Sequence, residues 1–239
     1  MTYKSYDYKV TFFTERRSSI PKETFYNLPE EKRQLIEKVA IREFGALGYD
    51  KASVNTIVDQ CQIAKGSFYQ YFEDKKDLFL YLIARVNEKK LESISPVFQN
   101  PEQYDFFTLI RELFISGLKF AADNPEITLM GNWLFKNKGH PLYNEVVGIG
   151  LQNAQNVYTG LLKLAVSRNE VRDDIDLDFV SHTISSMNVS VMEYYFQDVK
   201  GEEPDIRKFD EGIIETVDLL IDLIKYGIGT QKKGGNDND

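Results

Sequence analysis

The stretch from Ser53 to Tyr71, S-V-N-T-I-V-D-Q-C-Q-I-A-K-G-S-F-Y-Q-Y, constrains this chain more than any other. Val54, Ile57, Val58 and Cys61 recur at the i, i+3, i+4, i+7 spacing of one buried helical face, and Ser53 just before them suits an N-cap. That helix ends near Gln62, and a second begins at about Ala64. At about 100° per residue, the second helix carries Phe68 and Phe72 on one side and Gly66, Ser67, Tyr69 and Gln70 on the other, with Lys65 and Tyr71 as flanks. Two short helices joined by a tight turn read as a helix-turn-helix.

The polar side of the second helix suits a DNA duplex. Gly66 has no side chain to hold a backbone away, Ser67, Tyr69 and Tyr71 offer hydroxyl donors to phosphate oxygens, and Lys65 adds a positive charge. Gln70, in the middle of that face, can bond both N6 and N7 of an adenine. The competing reading takes Phe68, Tyr69, Tyr71 and Phe72 as core aromatics of an ordinary helical bundle.

The residues around the pair decide between these. From Phe25 to about Ile83 the chain resembles the N-terminal domain of the tetracycline-repressor (TetR) family of one-component transcriptional regulators. The resemblance rests on I-R-E-F-G-A-L-G-Y-D-K-A-S and on I-V-D-Q-C-Q-I-A-K-G-S-F-Y-Q-Y-F-E-D-K-K-D-L-F, most specifically on A-K-G-S-F-Y-Q-Y-F-x-D-K-x-D-L. It implies phosphate contacts from Ser53, Lys65, Tyr69, Tyr71 and Lys75, and base reading by Asn55, Gly66, Ser67 and Gln70. The chain departs from the family pattern twice. Gln62 stands at the turn position that is usually Gly, so either a positive φ strains it or the turn differs slightly, and Val58 stands where a small residue is usual.

A net charge of −8 argues against a nucleic-acid partner until its distribution is considered. Residues 1–72 hold 11 Lys and Arg against 9 Asp and Glu, so the acidic excess belongs to the remainder. Phosphate attraction acts over a Debye length of about 8 Å, so the local balance at the reading helix counts. Residues 1–24 are expected to form an extension, with Arg16 and Arg17 as the working residues of a DNA-contacting arm or, alternatively, as part of a disordered terminus.

The rest is helical by pattern. Leu35, Ile36, Val39, Ala40, Phe44 and Leu47 define a helix from about Asn27–Glu30 to a stop at Gly48, and Asp74 caps a connector carrying Phe79, Leu82, Ile83 and Val86. Breaks beyond Pro96 delimit helices at about 102–122, 126–137, 141–168, 177–198 and 206–228. The expected organisation is all-α: an extension over 1–24, a three-helix DNA-binding domain over 25–73, a connector, ligand-binding and dimerisation domain over 74–228, and a disordered tail over 229–239.

Apolar stripes mark the last two helices: Phe179, Ile184, Met187, Val191 and Tyr194 on one, and Ile213, Val217, Leu220, Ile221 and Ile224 on the other. They serve an intramolecular core or a homodimer interface equally well, and Ser181, Ser185, Ser186 and Ser190 would permit close helix approach. The resemblance favours pairing through these helices. It also implies an inducer pocket in the second domain. There Phe106, Phe107, Leu113, Met130, Trp133, Leu134, Phe135, Tyr143 and Tyr158 are candidate lining residues, and Asn132, Gln152 and Asn156 are candidate polar partners for an apolar ligand with one polar group. A packed core is the other account of those aromatics.

Nothing in the motifs points to catalysis. His140 and His182 stand alone, Cys61 is the single cysteine, and the Gly-rich phosphate cradles and the serine-hydrolase elbow are missing. No cofactor or metal is expected. No run approaches the roughly 18 apolar residues of a membrane span, and with a single cysteine the cytoplasm is the expected compartment. The reading is a repressor that binds a palindromic double-stranded DNA operator as a homodimer and is released by a small-molecule inducer. The alternatives are an all-α sensing or adaptor protein without DNA binding, or a helical enzyme.

Overall fold

The computed structural model describes residues 21–99, 103–196 and 211–229. Within them the secondary structure is helical apart from one isolated bridge between Val171 and Gly229. The helices are α1 (Glu23–Tyr26), α2 (Glu30–Lys51), α3 (Val54–Gln60), α4 (Lys65–Tyr71), α5 (Lys75–Gln99), α6 (Phe106–Asp123), α7 (Pro125–Lys136), α8 (Pro141–Tyr143), α9 (Ile149–Ser167), α10 (Leu177–Phe196) and α11 (Glu211–Ile228). A π-helical turn, Asn144–Gly148, separates α8 from α9, so the single helix expected over 141–168 is interrupted. No described helix is long and apolar enough to cross a membrane.

The described residues fall in two compact units, one within Met1–Lys89 and Glu126–Val146 and the other within Lys90–Pro125 and Val147–Asp239. The first is organised around α2. Glu30 and Glu31 in its first turn favour the positive end of the helix dipole. Ile36, Val39, Ala40 and Phe44 line its buried side. Gly48 ends its regular part as expected, with φ 72°, a region that L side chains rarely adopt.

Residues 21–24, expected as part of a free extension, are docked. Pro21 is buried, and Phe25 of α1 is fully enclosed by the rings of Tyr71, Phe72 and Tyr81 at centroid distances of 6.0, 5.0 and 5.3 Å. A one-turn helix has too few positions to show periodicity, so the pattern gave no sign of it. Arg16 and Arg17 lie outside the described residues.

The connector α5 is capped by Asp74, whose carboxylate accepts from the Asp77 amide at 2.8 Å. It runs on through Pro96 to Gln99. Inside the first unit it is tied to α2 by a buried Tyr81 hydroxyl that donates to Glu37, with the Arg85 guanidinium 3.5 Å from the same carboxylate. Burial, then the bond to Glu37, hold the Tyr81 hydroxyl well above its ordinary pKa. The segment carrying α7 and α8 packs in this unit too, through Arg42–Glu126 at 3.2 Å, Lys76–Glu145 at 2.7 Å and an aromatic group of Tyr49, Phe79, Trp133 and His140.

The second unit buries one core between α6, α9, α10 and α11, including Phe106, Ile110, Phe114, Leu162, Ile184 and Val217. Arg111 of α6 grips Asp218 of α11 with two bonds, at 2.5 and 3.2 Å. Ser181 and Ser185 of α10 are buried at 0 % and 2 % exposure, and Thr159 of α9 donates to the Ser181 hydroxyl at 2.9 Å. These small residues serve close approach inside the protomer.

Five of the seven dimerisation residues expected from the pattern need correction for the same reason. Ile184, Val191, Val217, Ile221 and Ile224 are buried in the protomer core, and Met187 and Leu220 pack against it. Side chains already enclosed within one chain do not form the face offered to another. Among the described residues of these two helices, the exposed large apolar side chains are Phe179 and Tyr194 on α10, and Leu219, Leu223 and Tyr226 on α11.

Candidate nucleic-acid interface

The site is built on α3 and α4. Ile57, Val58 and Cys61 are buried as their spacing requires, with Lys32 Nζ donating to the Cys61 carbonyl at 2.6 Å. Ser53 holds the N-cap position with extended backbone, and its carbonyl accepts from the Ile57 amide at 3.1 Å. Its hydroxyl does not cap the helix, contrary to expectation. Its own amide instead donates to Glu43 at 3.0 Å.

The turn closes with the Ile63 amide donating to the Val58 carbonyl at 3.0 Å. This geometry forces Gln62 to φ 51°, so the chain keeps the left-handed turn without the glycine. Gln62 is exposed, and no packing opposes its side chain. Val58 is accommodated at 3 % exposure.

Helix α4 is divided sharply. Phe68 and the following Phe72 are sealed at 0 % and 1 % exposure, while Lys65, Gly66, Tyr69 and Gln70 face solvent. Each sealed ring contributes about 1.5–3 kcal/mol by burial, which fixes the outward direction of the others. Around Gly66 no atom lies within 4 Å of where a Cβ would stand, so packing within the protein does not demand a glycine there. Ser67 and Tyr71 are half-buried at the margins, and Asn55 is exposed in the first turn of α3.

The far end of α4 is closed by residues 22–24. The Lys22 amide donates to the Tyr71 carbonyl and its Nζ to the Tyr69 carbonyl, both at 2.9 Å, while the Thr24 hydroxyl donates to Gln70. These carbonyls would otherwise be the unsatisfied acceptors of a helix C-terminus. Lys75, expected at a phosphate, spends its ammonium on the carbonyls of Tyr49, Asp50 and Ala52 at 2.7, 3.2 and 3.1 Å. It fastens the end of α2, and no donor is left for a duplex.

The side chains expected around an inducer are distributed over both units. Met130 and Leu134 are buried in the first, where Trp133 packs on Tyr49 and Tyr143 meets Phe135 at 6.4 Å. Phe106, Phe107 and Tyr158 are core residues of the second. Gln152 and Asn156, one helical turn apart on α9, face solvent, so they are not polar groups inside the core. What the pattern missed is a crevice lined in part by Lys90 and Asn188. Neither residue stands out from its sequence neighbours.

Residues 36–82 match the family described as bacterial regulatory proteins, tetR family. A Bacillus subtilis protein named as the uncharacterized HTH-type transcriptional regulator YuxN is 37% identical over 65 residues, a match spanning 27% of this chain and 22% of that protein. The probable acrEF/envCD operon repressor of Escherichia coli K12 is 23% identical over 176 residues, 71% of this chain and 78% of the repressor. The crystal structure of a TetR-family transcriptional regulator from Chloroflexus aurantiacus superposes with a TM-score of 0.64 at 26% identity, over 89% of this chain and 100% of that one. The buried Phe68 and Phe72 and the open face in front of them lie within the segment that matches the tetR family, and the likeness to TetR-family transcriptional regulators extends through the helices beyond it.

Proposed function

We propose that the chain is a ligand-responsive repressor that binds a palindromic operator as a homodimer and leaves it when a small-molecule inducer binds. The observation that carries this reading is the divided character of α4: two phenylalanines fix the helix from below, and Lys65, Gly66, Tyr69 and Gln70 stand unobstructed above. Lys65, Tyr69, Tyr71 and Ser53 hold phosphates, while Asn55, Gly66, Ser67 and Gln70 meet base edges.

A second copy of the chain covers the exposed face of α10 and α11. Leu219, Leu223 and Tyr226, 71 %, 64 % and 77 % exposed, recur at i, i+4, i+7 on the side of α11 opposite its core stripe. Such a stripe matches its own copy across a two-fold axis, and that symmetry sets two reading helices on two half-sites. The inducer acts only through its differential affinity for the binding and non-binding arrangements of the dimer.

Selection of duplexes from a random pool by the purified protein, followed by footprinting, tests the reading. The expected product is an inverted repeat with half-site centres about 34 Å apart, one helical turn. No enrichment over the starting pool would overturn it in favour of an all-α sensing protein without DNA binding.

A further inference from the structure

Lys90 lies on α5 in the second unit, beside a small crevice that opens to solvent. The described lining is Lys90, Phe114, Gly117, Leu118, Asn188 and Val191. Lys90 is the only formal charge among these six. Its ammonium makes no hydrogen bond or ion pair with any described residue. An ammonium carries three donors and no acceptor, and holding it away from water without a partner is unfavourable. Burial alone pushes the Lys90 pKa below the usual lysine range, with no carboxylate to offset it. The residue is half-buried, so its end of the crevice remains reachable from solvent.

The neighbouring atoms narrow what could pair with it. Gly117 keeps the space beside the ammonium open: a Cβ there would stand 3.9 Å from Lys90 Nζ and 3.7 Å from its Cε. Asn188 is hydrogen-bonded to the Tyr158 hydroxyl, whose pKa burial raises to about 12. One such bond leaves capacity on the amide for another partner. The remaining walls, Phe114, Leu118 and Val191, are apolar.

We propose that this crevice is a carboxylate-binding subsite, in which the carboxylate of an otherwise apolar ligand pairs with Lys90 Nζ and accepts a second bond from Asn188, its apolar part lying against Phe114, Leu118 and Val191. The inference rests on the ligand-responsive reading and names the chemical class of the ligand.

Calorimetric titration of the full chain with hexanoate and decanoate, and with hexanol and decanol, tests it. Bonds to charged groups are the stronger ones, so decanoate is expected to bind about ten- to a hundredfold tighter than decanol. Lys90→Met keeps the stem and removes the charge, so it should erase that preference while leaving decanol binding unchanged. Gly117→Val fills the space beside the ammonium and should weaken the acids while Lys90 is intact. Equal affinity for acid and alcohol, no binding of either acid, or a preference that survives Lys90→Met would each overturn the subsite. Release of the selected operator is read separately. Acids that bind through Lys90 without releasing DNA leave the subsite standing and remove the inducer reading; an inducer found by screening that acts equally on Lys90→Met does the reverse.

Discussion

The indole of Trp133 occupies the space into which a Gly48 side chain would project. A Cβ on Gly48 would overlap Trp133 Cδ1 and stand 3.1 Å from Cγ, at a residue whose φ is already 72°. Gly48→Ala is therefore expected to cost about 1–3 kcal/mol for the backbone conformation and about 1–3 kcal/mol for overpacking. In a Trp133→Ala background only the first part should remain. Urea unfolding of the four proteins of this cycle measures the difference, and an unchanged cost would show that the indole is not the obstacle.

Gln62 carries a backbone penalty that its side chain does nothing to offset. At φ 51° and exposed to solvent, it should be improved by glycine. Gln62→Gly is expected to raise stability by about 1 kcal/mol, read as a higher unfolding midpoint with an unchanged denaturant slope.

Gly66 separates stability from recognition. With open space where its Cβ would be, Gly66→Ala should leave the unfolding midpoint unchanged or raise stability by up to about 1 kcal/mol, while affinity for the selected operator falls. Gln70→Ala should relax preference at one base pair per half-site by about 1–3 kcal/mol. Equal losses from Gln70→Ala on operator and on random duplex would contradict its assignment to a base.

The two stripes of α11 make opposite predictions for the same kind of change. Leu219→Glu with Leu223→Glu should give a folded monomer by sedimentation, because both side chains are exposed. Ile221→Glu, at 7 % exposure, places a charge in the protomer core and should abolish folding. A double variant that remains dimeric would locate the interface elsewhere.

Lys90 predicts a pH dependence with a definite sign. Its folded pKa is depressed by burial, against about 10.4 in the unfolded chain. Below the folded value both states are protonated and the full burial penalty is present. Between the two values the unfolded chain binds more protons, so stability rises with pH. The advantage of Lys90→Met over the wild type should be greatest near neutrality and shrink toward about pH 10.4. A gap independent of pH would show that the ammonium is not desolvated.

The reading pair was legible because its two faces differ in chemistry: Phe68 and Phe72 against Lys65, Tyr69 and Gln70 at helical spacing. At Gln62 the sequence left a strained residue and an altered turn both open, and φ 51° decides for the left-handed turn. Periodicity does not say which of two apolar stripes on one helix faces inward. On α11 the β-branched stripe Ile213, Val217, Ile221 fills the core and the outer stripe of Leu219, Leu223 and Tyr226 is left exposed. Docking of Phe25 depends on rings up to 56 positions away, and the Lys90 crevice joins α5, α6 and α10. Local patterns carry no record of such meetings.

The three carbonyls at the end of α4 take their donors from Lys22 and Thr24, well upstream of the family-matched segment 36–82. A fragment cut to the recognisable domain would therefore lose its C-terminal cap on the reading helix together with the Phe25 ring beneath Phe72. Binding measured on such a fragment would report a frayed helix. Any minimal DNA-binding piece of this protein has to begin no later than Pro21.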